Sequence, residues 1–89
     1  MNKHVVPHVG YDDFADVLYV YTEPHLPYRA VEDSDGITWR YRVDSGEPLG
    51  VTVEEFREYW SAHRPRLARK VANFFNLTVG EAERILKPD

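Results

Sequence analysis

The chain contains no cysteine, which excludes disulfide staples and thiolate-ligated metal. None of its five glycines falls in the Gly-rich phosphate cradle of a nucleotide site. No apolar run approaches the ~20 residues needed to cross a bilayer. The opening residues, Met1-Asn2-Lys3-His4-Val5-Val6-Pro7, lack the apolar stretch of a signal peptide, so the cytoplasm is the expected compartment, with no membrane partner. Serine is scarce too. Ser34 and Ser45 sit among turn residues, and neither they nor Ser61 has the Gly-x-Ser-x-Gly setting that presents a nucleophile. These absences predict a protein that is not an enzyme and needs no cofactor.

Metal binding fares no better. His4 and His8 would share one face of a regular strand, but four residues at ~3.3 Å each put them ~13 Å apart, too far for one zinc ion. Asp12, Asp13 and Asp16 lack the spacing and central glycine of a calcium loop. Their expected role is to form a turn.

What the chain does have is aromatic surface: six Tyr, four Phe and two Trp in 89 residues. Large rings bury much area per side chain, so one small domain can hold a core while covering roughly 60–70% of its unfolded surface. Some of that aromatic area is expected to meet a partner, with a homodimer the natural arrangement. Charge is divided unevenly. Residues 1–53 carry four basic and nine acidic groups, residues 54–89 seven and six. Within the second half Arg57, Arg64, Arg66, Arg69 and Lys70 lie close in sequence and define a local basic patch.

Periodicity predicts an α+β domain, an antiparallel β-meander of about five strands over residues 1–53 followed by two to three helices over 54–89. The first strand, residues 4–11, puts Val5, Val9 and Tyr11 in one phase; Pro7 shares that phase and cannot donate to a ladder, which predicts a sheet edge or a bulge. Residues 17–22 are apolar at nearly every position and predict a central strand covered on both faces. Residues 28–32 make a weaker third strand. After the turn Asp33-Ser34-Asp35-Gly36, Ile37, Trp39, Tyr41 and Val43 alternate as the buried face of a fourth. Leu49, Val51 and Val53 do the same in a fifth. At Thr52 the period changes. Thr52 with Glu55 fits a capping box, and Phe56, Tyr59, Trp60 and His63 form a helical stripe that Pro65 ends or kinks. Leu67, Val71, Phe74 and Phe75 form the next stripe, Asn76 suits a left-handed helix end, and Thr78 with Glu81 repeats the capping box. Ala82, Ile85 and Leu86 then face inward.

The segment from Val71 to Leu86 resembles a helix-turn-helix: small Ala72, turn residue Asn76, hydrophobic Leu77, N-cap Thr78, then Ala82 and Ile85 inward. Arg64, Arg66, Arg69, Lys70 and Arg84 are its candidate contacts to nucleic acid or an acidic partner. Glu81 and Glu83 stand where a recognition helix would meet phosphates, so DNA contact over residues 64–86 is the second reading rather than the first.

Residues 11–22, Tyr-Asp-Asp-Phe-Ala-Asp-Val-Leu-Tyr-Val-Tyr-Thr, resemble the Y-D-x-x-A-D-x-L-Y-[IV] signature of a small bacterial family, the domain of unknown function numbered twenty-two eighty-three. Asp35-Gly36-Ile37, Tyr41 to Asp44, and Leu49-Gly50-Val51-Thr52-Val53 match later parts of the pattern, with Thr52 in place of the usual Glu. The resemblance covers residues 5–56. It implies a short, β-rich protein encoded beside toxin-like genes, hence an antitoxin-like module that associates with a small partner protein. An acidic first half suits a basic partner. Asp12, Asp16, Tyr21, Trp60 and Phe75 are the candidate interface residues.

Overall fold

A computed structural model describes residues 7–87. Five antiparallel strands, β1 (His8–Asp12), β2 (Val17–Tyr21), β3 (Tyr28–Glu32), β4 (Thr38–Arg42) and β5 (Pro48–Glu54), precede helices α1 (Arg64–Phe75) and α2 (Val79–Ile85). The fold is α+β, as periodicity predicts. The strand order is β1-β2-β5-β4-β3, so the chain is not a simple meander. Two meandering pieces, β1–β2 and β3–β4–β5, join where β2 pairs with β5. Pro24 and Pro27 lie in the connection that carries the chain across to the far edge. β1 lies at an edge, as Pro7 requires; the earlier part of the predicted first strand lies outside the described residues.

β5, not β2, is the central strand, and it is buried from Leu49 through Val53. The register sets Leu18 beside Val53, Val20 beside Val51, and Trp39 across from Val51. This face packs on Leu67, Val71 and Leu86 of the helical layer, each fully buried aliphatic side chain contributing roughly 1.5–3 kcal/mol. The opposite face has no helix. There Tyr19, on the strand predicted to be covered twice, remains 41% exposed. Val43 lies in the turn after β4 and is exposed. Gly36 and Gly46 adopt φ of 80° and 77° in the turns flanking β4, conformations that cost a side-chain-bearing residue energy.

The predicted helix over residues 56–63 does not form. β5 continues to Glu54, whose partner is Val17, so Thr52 is committed to the sheet and cannot cap a helix. Glu55 turns the chain with φ of 55°, and a single 3-10 turn, Trp60–His63, leads into α1. Pro65 begins α1 rather than ending a helix, a position where its missing N–H has no intrahelical partner to lose. Phe56 and Trp60 still point into the core. Their i, i+4 spacing reports burial, but not helix.

Candidate partner-binding surface

The signature residues of the β1–β2 hairpin have internal tasks. Asp12 Oδ1 accepts the amides of Phe14 and Ala15, both at 3.1 Å, closing an Asx turn. Asp16 takes φ of 60°, so its carboxylate reaches across the end of the sheet. It accepts the Tyr11 hydroxyl at 2.7 Å, the Arg57 amide at 2.8 Å and the Glu58 amide at 3.0 Å, while its carbonyl accepts the Phe56 amide at 3.1 Å. Asp16 therefore caps the turn after β5 from 41 residues away. The Tyr11 hydroxyl and the Arg57 amide hold its carboxyl below the usual range, and the same hydrogen bond raises the Tyr11 phenol. Being occupied by these donors, Asp16, a candidate interface residue, serves as an internal cap.

The same junction holds Phe14 out in solvent. Its side chain is 99% exposed at the hairpin tip. Asp12 is in register with Val17 and through it with Glu54, and the Asp16 bonds bring residues 55–58 against the tip. Asp12, Asp13, Glu54, Glu55 and Glu58 thus gather at one end of the molecule, all exposed. Arg57 lies within the group, its guanidinium 4.8 Å from the Tyr11 ring centroid.

A second aspartate organises the other half. Asp33 accepts the amides of Asp35 and Ile37 at 2.9 and 3.0 Å, the Trp39 indole N–H at 2.9 Å and the Lys70 ammonium at 2.8 Å. Partial burial pushes its carboxyl up. The Lys70, Trp39 and amide hydrogen bonds outweigh that and hold it at about 2. Lys70 also pairs with Asp35 at 2.8 Å, and the two carboxylates raise its own pKa.

These contacts redistribute the basic patch. Lys70 is turned to the β3–β4 hairpin. Arg66 donates to the Tyr59 hydroxyl at 3.0 Å, sits 3.8 Å from Asp35 and stacks over Trp60. Arg64 stacks over Phe56, 4.8 Å from the ring centroid. Arg69 and Arg84 are exposed, while Arg64, Arg66 and Lys70 are engaged within the chain. The helix pair itself matches its predicted geometry. Asn76 is left-handed, Leu77 N–H bonds the Ala72 carbonyl, and Thr78 with Glu81 completes the capping box.

The sheet's aromatic side chains Tyr19, Tyr21, Trp39 and Tyr41 do not line one pocket. Tyr19 and Tyr21 face the helix-free side, while Trp39 and Tyr41 face α1, 4.7 and 5.3 Å from the Phe74 ring. Of the remaining candidates, Tyr21 lies on the helix-free face, 5.5 Å from the His8 ring. Phe75 is half-buried beside Phe74. Trp60 is 2% exposed and is core rather than interface, because the turn held by Asp16 rolls it beneath the sheet. Phe14 was missed by periodicity reasoning, since a lone aromatic in an acidic turn belongs to no stripe. Its one sequence signal is that an apolar ring among aspartates has no core position to take.

Among the described residues no three His, Asp or Glu side chains converge as a metal site requires, and no helix is long and apolar enough to cross a membrane. Comparison with protein-family models, curated proteins and solved structures finds no match to the chain.

Proposed function

We propose that the protein is a non-enzymatic, antitoxin-like binding module whose hairpin tip docks on a small basic partner protein. The observation that carries this reading is Phe14, 99% exposed on a turn braced through Asp12 and Asp16. Aromatic anchors surrounded by a polar rim dominate binding energy at protein interfaces. A preformed anchor loses little entropy on docking. The surrounding carboxylates supply charge complementarity, which accelerates association and selects the partner. The toxin-linked gene context implied by the signature of residues 11–22 fits the same reading.

The test is co-expression with the product of the neighbouring gene. The two are expected to co-purify, and Phe14→Ser is expected to abolish co-purification while leaving the fold intact. Co-purification that is indifferent to Phe14, or none at all, contradicts the proposal. DNA binding is favoured less, because Arg66 and Lys70 already engage Asp35 and Asp33.

A further inference from the structure

A different surface suggests a second binding site. On the helix-free face, Gly50 of β5 stands between Tyr21 and Arg40 and leaves a groove of about 230 Å³. Tyr19, Tyr21, Tyr28, Pro24 and Arg40 line it. A Cβ added at Gly50 would meet the Val20 carbonyl oxygen at a tight 3.1 Å and the Tyr21 Cβ at an ordinary 3.5 Å, so glycine suits the floor of the groove. Tyr28 is 52% exposed. Next along β5, outside the groove's lining and in register with Tyr19 and Thr38, Thr52 is only 9% exposed, and its hydroxyl has no hydrogen-bond partner among the described residues. Buried hydroxyls are rarely left unsatisfied.

Charge identifies the occupant. Arg42, Arg66 and Lys70 are held by Asp44, Asp35 and Asp33. Arg40 instead lies over the Tyr28 ring, 5.4 Å from its centroid, with its fork directed at no carboxylate among the described residues. We propose that this groove binds an extended peptide segment in which a carboxylate adjoins an apolar or aromatic side chain. The ring lies between the tyrosines and the carboxylate pairs with Arg40, whose planar fork suits that geometry. The groove is smaller than the ~300 Å³ floor of metabolite pockets, and it matches one side chain. A nucleic-acid strand fits less well, because Arg40 is the one cation in the groove's lining, enough for a single carboxylate but not for a run of phosphates.

The site is independent of the Phe14 reading. The full chain would be immobilised and used to select from displayed random peptides. The enriched peptide would be resynthesised with a fluorophore and its affinity measured by anisotropy. Peptides bearing an acidic residue beside an aromatic one are expected, with affinity lowered at least tenfold by Arg40→Gln and by Tyr28→Ala. Phe14→Ser is expected to leave it unchanged. Both groove variants alter exposed or half-exposed side chains, and thermal melts confirm folding. No enrichment, binding that survives both substitutions, or tighter binding of a single-stranded thymidine oligonucleotide than of any peptide would each overturn the proposal.

Discussion

Two aspartates hold the two hairpin ends of this molecule together, and they leave opposite surfaces behind. Asp33 draws in Lys70, and with Asp35 and Arg66 its charge is answered inside the protein. Asp16 draws in only neutral donors, the Tyr11 hydroxyl and two amides. The acidic groups around it have Arg57 in their midst, and Phe14 stands exposed among them. The Asp33 end is completed by the chain itself, while the Asp16 end leaves Phe14 and its neighbouring carboxylates exposed, the end proposed to meet a partner. Electrostatic satisfaction, more than sign or density of charge, separates the stabilising cluster from the one proposed to bind.

The sharpest way to break this comparison is Asp33→Ala. It leaves the Trp39 indole and the Ile37 amide without their acceptor and Lys70 with one carboxylate fewer. A loss of about 2–3 kcal/mol is expected in chemical denaturation, in the range of hydrogen bonds to charged groups. The pH dependence follows with a definite sign. The folded-state pKa of Asp33, about 2, lies below its ordinary value of roughly 3.9, so its contribution is present above that value and is lost as pH falls toward 2. Lys70, raised, contributes in full below its ordinary pKa, and that contribution is lost as pH rises through its higher folded-state value. Asp33→Asn is expected to flatten the acid limb of a stability profile measured by circular dichroism.

A smaller effect is expected away from both ends. Thr78→Ala removes one side of the capping box on α2 and is expected to cost about 1 kcal/mol, read in the same denaturation experiment. At the open end the expected change is smallest. Phe14→Ser removes a ring that touches solvent, so stability is expected to stay within ~0.5 kcal/mol of the parent. A large loss there would mean that the ring is structural and the ends are alike.

Much of this arrangement was legible in the sequence, because it is local. Alternation marked the strands, Pro7 marked an edge, and the Ala72–Asn76–Thr78–Glu81 spacing marked the turn between α1 and α2. The same local logic misplaced the start of the helices. Thr52 and Glu55 satisfy a capping box on paper, but the ladder with β2 holds Thr52 in the sheet. The β2–β5 pairing and the two aspartate junctions were invisible for a related reason. Asp16 meets Arg57 from 41 residues away, and Asp33 meets Lys70 from 37, and no periodicity encodes such meetings. Lys70 and Arg66 read as part of a basic run until the β3–β4 turn is placed beside them. Phe14 was hidden because its importance lies in having no packing partner.

Isothermal titration of the protein and its Phe14→Ser variant with the product of the neighbouring gene, at low and high salt, tests the open-end reading most directly. The account expects a tight complex with the parent, weakened by salt and weakened at least ~30-fold by the substitution, the scale of a 2 kcal/mol interface anchor. Equal affinity for parent and variant, or no heat of binding with either, would contradict it.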